Sequence, residues 1–174
     1  MAKKAAFFLI VLLHLAGCRE ENVQNSSQQT TAQTGEDVSA QTDSARRQDY
    51  DSLIYALAAL EGEIMRHPTD TNLRKRFLKL SFDTLKGGFM VVGMGLTKPD
   101  SSTTDALLAQ KASKKTSLRW ALYAKAWHTN HMIAFGTPIS GDIAYHQSLL
   151  TTVRDDTTFQ LTFVPLGSIR IKAD

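Results

Sequence analysis

Apolar residues crowd into one run at positions 5–15, nearly vanish until position 50, and then return at helical and strand spacings. Over 50–66, Leu53, Ile54, Leu57, Leu60, Ile64 and Met65 fall at i, i+1, i+4, i+7, i+11 and i+12, which predicts an amphipathic helix. Asp49 and Asp51 suit its first turn. His67-Pro68-Thr69-Asp70 breaks the pattern: Pro68 ends this helix, and Thr69 or Asp70 caps the next. The second helix is expected to run to about residue 86. Leu73, Phe77, Leu80 and Leu85 supply its inner face, Phe82 lies to one side, and Gly87-Gly88 stops it. Two such helices joined by a short turn make an antiparallel hairpin.

Beyond the hairpin the period changes. Phe89-Met90-Val91-Val92-Gly93-Met94-Gly95 is a short apolar run bounded by glycines and reads as a buried strand. Ser102 with Asp105 forms a capping-box variant, and a long helix follows to about His128. Its expected inner stripe is Leu108, Ala112, Thr116, Trp120, Tyr123 and Trp127, widened by Leu118 and Leu122. Lys111, Lys114, Lys115, Arg119 and Lys125 fall mostly on the other side. Strands are then expected over 132–135, 145–153 and 158–166. In them Tyr145, Leu149, Thr151 and Val153 share one face, and Phe159, Leu161 and Phe163 another. Arg154-Asp155-Asp156-Thr157 reads as a hairpin turn, Pro165 ends the pairing, and Ile169 and Ile171 suit a short final strand. The fold class is α+β: a helical hairpin, then a β-α-β-β(-β) unit with one long helix on an antiparallel or mixed sheet.

The N-terminal run changes the picture of where the protein works. Lys3 and Lys4 precede it, and its eleven residues, 5–15, rise only about 16 Å as a helix, too short to span a bilayer. A positive head, an apolar run and small residues before a cut site describe a secretory signal. Leu15-Ala16-Gly17-Cys18 resembles the bacterial lipobox, and Cys18 is the single cysteine. The resemblance implies lipid attachment to the Cys18 thiol, cleavage before it and acylation of the new amine, so that two or three chains hold the protein to a membrane. Arg19, rather than Asp, follows the cysteine and leans towards the outer membrane of a Gram-negative envelope, with the protein facing the periplasm. With Cys18 consumed, no disulfide or thiolate chemistry is left.

The expected organisation is a signal over 1–17, a lipidated and flexible tether over 18–48, a helical hairpin over 49–88 and an α+β unit over 89–174, the last two forming one folded body. The tether is rich in Gln, Ser, Thr, Asn and Ala, with Val23 and Val38 its only large aliphatics. Such a segment buries too little to offset the entropy of ordering. The whole chain carries +3; without Lys3 and Lys4, 18 basic face 17 acidic side chains, a net charge of +1. That balance argues against a nucleic-acid partner.

Two further resemblances concern the folded part. Residues 60–82, with the central His67-Pro68-Thr69-Asp70, are similar to one tetratricopeptide unit, but no second copy appears and a solenoid needs three. Val91-Val92-Gly93-Met94-Gly95, the alanines Ala106, Ala109, Ala112, Ala121, Ala124 and Ala126, and the closing Phe163-Val164-Pro165-Leu166 resemble the LPP20-like envelope lipoproteins and the related amino-terminal domain of a flagellar assembly protein. The chain departs from that pattern where Asp156 stands in place of a turn glycine, and at Lys114, Lys115 and Trp120. The resemblance implies a non-enzymatic envelope component and carries over no catalytic residue.

Candidate chemistry is sparse. Gly93-Met94-Gly95 lacks the third glycine of a dinucleotide loop and the Gly-Lys-Ser/Thr of a P-loop. His128 and His131, three apart, would share a face on a continuing helix, but zinc needs three or four ligands and no third histidine or carboxylate lies near them in sequence, His146 being the next histidine along the chain. No serine sits in a nucleophile motif. Asp155-Asp156 and Asp49/Asp51 are carboxylate pairs in expected turns. The expectation is therefore no catalytic residue, metal or cofactor: a non-catalytic envelope lipoprotein that binds a protein partner or contributes to an assembly. The alternative is a ligand- or glycan-binding lipoprotein, with Trp120, Tyr123 and Trp127 as the candidate ligand or partner surface. A hydrolase with an unrecognised site is the third reading.

Overall fold

The computed structural model describes residues 34–97 and 102–172, with side chains from residue 46 onward. Helix α1 (Thr34–Arg66) and helix α2 (Thr71–Ser81) lead into strand β1 (Phe82–Asp83) and strand β2 (Gly88–Leu96). Helix α3 (Thr103–His128) follows, then β3 (Gly141–Ile143), β4 (Gln147–Arg154), β5 (Thr157–Pro165), a 3-10 turn at Leu166–Ser168 and β6 (Ile169–Ile171). The class is α+β, with a four-stranded antiparallel sheet in the order β1-β2-β5-β4 and the long helix α3 laid on it. A separate two-stranded ribbon pairs β3 with β6.

α3 sits unusually close to the sheet, and small residues make this possible. Ala109, Ser113, Ser117 and Ala121, each four apart, are buried against it. Opposite them are Gly93 and Gly95. A Cβ at Gly93 would lie 1.7 Å from the Ser113 carbonyl oxygen, and one at Gly95 1.9 Å from that of Ala109. The Ser117 hydroxyl meets the Thr162 hydroxyl of β5 at 3.0 Å. The inner stripe is thus one residue away from the expected Leu108, Ala112 and Thr116. Leu108 is 56% exposed, because the backbones approach too closely there for a leucine to fit between them.

The paired residues Val92–Leu161 and Met94–Phe159 lie on the opposite face of the sheet from Gly93 and Thr162. α1 packs on this side: the Tyr55 ring meets Phe159 edge-on at 5.9 Å, and the Arg154 guanidinium lies 5.2 Å from Tyr55. Ile54, Leu57, Leu60 and Ile64 are buried as the spacing predicts, whereas Met65 is exposed. α1 also begins at Thr34, so it occupies part of the expected tether, and Asp49 and Asp51 lie in its interior rather than its first turn.

Asp70 caps α2, its carboxylate accepting from the backbone N–H groups of Asn72 at 2.7 Å and Leu73 at 3.2 Å. The helix ends at Ser81, short of the expected residue 86. Phe82 leaves it in extended conformation to stack with His128 at 5.0 Å and pack on Phe89 at 5.2 Å. Asp83 then accepts from the Leu85 and Lys86 N–H groups, and the turn closes at Gly87 with φ 63°. Leu85, expected inside, is 97% exposed on that turn.

The strand expected over 132–135 does not form. Instead this loop folds back on the C-terminal half of α3, and aromatic side chains take the place of a ladder. The Trp127 indole N–H donates to the Ile133 carbonyl at 3.0 Å, and the Gly136 N–H donates to the Tyr123 hydroxyl at 3.1 Å. β4 alternates less cleanly than expected, because a bulge between Ser148 and Leu150 inserts Leu149. The β4–β5 hairpin turns at Asp155 and Asp156 as expected, with Asp155 at φ 51°. β6 forms, and its partner β3 was not foreseen.

The glycine contact makes a direct prediction. Gly93→Ala should cost about 1–3 kcal/mol of stability, because the new methyl meets helix backbone that can yield only by moving α3. Urea denaturation measures this; an unchanged midpoint would show that the helix is free to move.

Candidate functional site

The three aromatic residues expected to form a binding surface do not reach solvent. Trp120 and Tyr123 are essentially inaccessible and Trp127 nearly so. Trp120 stacks on Phe135 with centroids 4.2 Å apart, and Phe77 of α2 packs on Trp120 at 5.2 Å and Trp127 at 5.9 Å. The Tyr123 hydroxyl donates to the Thr137 carbonyl. These rings join α2, α3 and the 129–140 loop into one core. They belong to the core, and the polar tips of Tyr123 and Trp127 are taken up by loop backbone.

His128 and His131 are also separated. α3 stops at His128, with Asn130 left-handed at φ 62°. The Asn130 N–H donates to the Trp127 carbonyl at 3.1 Å and the His131 N–H to that of Ala126 at 2.9 Å, the bonds of a Schellman cap. His131 therefore leaves the helix face, and its Nδ1 pairs with the Thr129 hydroxyl at 2.9 Å. Among the described residues no group of three or more His, Cys, Asp or Glu is placed to hold a metal ion. Asp155 and Asp156 shape a turn, and the Asp156 carbonyl accepts from the Thr97 N–H at 2.7 Å. Gly93 and Gly95 face helix backbone, which leaves no room for a phosphate. Leu15, Ala16, Gly17 and Cys18 lie outside the described residues.

Open grooves remain among the described residues, and two of them set apolar walls beside charge. The larger of these two, about 680 Å³, lies between α3 and β3. Leu118, Leu122, Ile139 and Ile143 give it apolar walls, and Lys115 and Arg119 stand among them as cations. Asp142, the one carboxylate there, pairs with Lys172 at 3.1 Å. The Arg119 guanidinium also lies 5.8 Å from the Tyr123 and Phe135 rings, so its base rests on the aromatic core. The smaller groove, about 520 Å³, runs between α1 and α2 past Ala56, Ala59, Leu60 and Leu80. Glu63 and Arg76 bridge it with an ion pair of 3.3 Å. Both grooves can hold apolar groups beside charge.

One titratable group escaped the sequence reading. Glu61 lies in the middle of the buried stripe of α1 and is fully buried, with no hydrogen-bond partner for either carboxylate oxygen. Its spacing, three before Ile64 and four after Leu57, was the available signal. Burial holds its carboxyl well above the usual carboxylate range. The Val92 backbone, which approaches without reaching full hydrogen-bond geometry, offsets that only in part. Sealed between α1 and the sheet, this carboxyl is out of reach of a substrate.

Compared with known proteins, the chain matches no family model, no curated protein and no solved structure.

The burial of Glu61 sets the sign of a pH effect. The folded chain keeps a proton that the unfolded chain gives up near the ordinary carboxyl value, 4.5. Stability is therefore full below that value and falls as the pH rises towards the raised one. Glu61→Gln should remove this part of the pH dependence. Denaturation midpoints measured from acid to neutral pH check it; identical slopes for parent and variant would show that Glu61 ionises freely in the folded chain.

Proposed function

We propose that this is a lipid-anchored, non-catalytic component of a bacterial envelope, whose folded unit binds a protein partner beside the membrane. The observation that carries the reading is Leu15-Ala16-Gly17-Cys18 at the end of the apolar run that Lys3 and Lys4 begin. Lipid on Cys18 fixes the chain to the membrane surface, and the periplasmic face of the outer membrane is the proposed location. No helix among the described residues is long and apolar enough to cross a membrane.

Two features of the folded unit support a binding role over a chemical one. The strongly shifted carboxyl, Glu61, is enclosed, whereas the open grooves combine aliphatic walls with fixed charges. That combination suits recognition, in which apolar area supplies affinity and charge supplies orientation. The α1–α2 groove, with both signs of charge from Glu63, Arg76 and Lys79, suits a protein partner. A second reading, a ligand-binding lipoprotein, is favoured by the α3–β3 groove, which places two cations over an apolar floor. The likeness to the LPP20-like envelope lipoproteins belongs to the same proposal.

Cys18→Ser tests it. Metabolic labelling with a radioactive fatty acid should mark the parent and leave the variant unmarked. Cross-linking in the native membrane should recover a recurrent protein with the parent only. An unlabelled parent would overturn the anchor. A labelled parent with no recurrent partner would overturn the partner.

A further inference from the structure

The side of α3 turned away from the sheet is at once basic and leucine-bearing. At 100° per residue, Leu107, Leu108, Lys111, Lys115, Leu118 and Arg119 fall within one arc, opposite the buried Ala109, Ser113 and Ser117. Leu107 is 53% and Leu108 56% exposed. The helix carries five lysine and arginine side chains against one carboxylate, Asp105, which is engaged in its N-terminal cap. Among the described residues no carboxylate pairs with Lys111, Lys114, Lys115 or Arg119. The groove beside β3 continues this face with further aliphatic wall.

We infer that this face of α3 docks on an anionic lipid surface. Charge complementarity names the partner's sign. The interleaved leucines name its kind: a polyanion such as nucleic acid has no use for apolar side chains between the cations, whereas a bilayer surface takes the ammonium and guanidinium groups at its headgroups and the leucines just beneath. The support is rigid, because the opposite side of α3 lies in backbone contact with Gly93 and Gly95. The inference extends the membrane reading but stands without lipid on Cys18, since it rests on the folded unit alone.

The test uses the full chain with Cys18→Ser, so that no acyl chain contributes. A nitroxide label is placed through Leu108→Cys on α3, or through Val153→Cys on the far edge of the sheet. Vesicles are phosphatidylcholine with or without phosphatidylglycerol. On phosphatidylglycerol vesicles the label at position 108 should lose access to a water-soluble relaxant and gain access to a lipid-soluble one, while the label at 153 stays in water. The effect should weaken in high salt. Each cation near the surface contributes about fivefold, so adding Lys111→Glu, Lys115→Glu and Arg119→Glu, which removes three cations and adds three anions, should cut the vesicle partition coefficient read at position 108 by more than about a hundredfold. Comparing signals at position 108 removes any contribution from the apolar N-terminal run, which is common to all variants. A 108 label that stays aqueous on anionic vesicles overturns the proposal. So does equal shielding on pure phosphatidylcholine, or shielding that survives the charge reversal. Immobilisation of that label by an acidic protein or nucleic acid, but not by vesicles, would assign the face to a polyanion and refute the lipid surface.

Discussion

The fold depends on how closely one helix can approach one strand. A β-strand and a helix normally hold each other apart by their side chains. Here Gly93 and Gly95 remove them from the strand, and Ala109, Ser113 and Ser117 reduce them on the helix. The carbonyls of Ala109 and Ser113 then lie where a Cβ would be. This contact sets the depth and rotation of α3. With that rotation fixed, Trp120, Tyr123 and Trp127 turn towards α2 and the following loop, and Lys111, Lys115 and Arg119 turn outward.

The two halves of α3 are consequently treated differently. Its first half is covered by the sheet on one side and open on the other. Its second half is enclosed: the sheet lies beneath, Phe77 packs at the side, and the 129–140 loop crosses above. That loop has no ladder of its own, so its backbone groups find partners in the Trp127 indole and the Tyr123 hydroxyl. On the other face of the sheet α1 seals its apolar stripe at the expense of burying Glu61 unpaired. A neutral carboxyl is tolerable there, and its cost grows with pH.

The sequence revealed period well and distance poorly. The α1 stripe, the Ser102–Asp105 cap, the glycine-bounded strand and the Asp155–Asp156 turn were all readable, because each depends on local chemistry. On α3 the stripe read from sequence holds at Trp120, Tyr123 and Trp127 but is one residue off in the first half, because larger Leu108 and Thr116 outweigh Ser113 and Ser117 on a hydrophobicity argument. Only the proximity of Gly93 reverses that order. Leu85 and the 132–135 segment differ for a similar reason: both read as core on hydropathy alone, whereas the packing of Phe82 on His128 and the Trp127–Ile133 hydrogen bond decide where the chain goes. Trp120, Tyr123 and Trp127 suggest a binding platform from residue type alone, yet in the fold all three rings are buried in the core. The β3–β6 ribbon, three residues a side, left too short a pattern to read.

The proposed membrane-side role depends on α3, whose buried side fixes what its open side presents. The fold and that role both require α3 and β2 to behave as one rigid unit. Native-state hydrogen exchange measures that most directly. The amides of β2 and of α3 from Ala109 to Ala124 should exchange together, and only through global unfolding. If the α3 amides exchange through a local opening while β2 and β5 stay protected, the helix is not held by the glycine contact and the central claim is wrong.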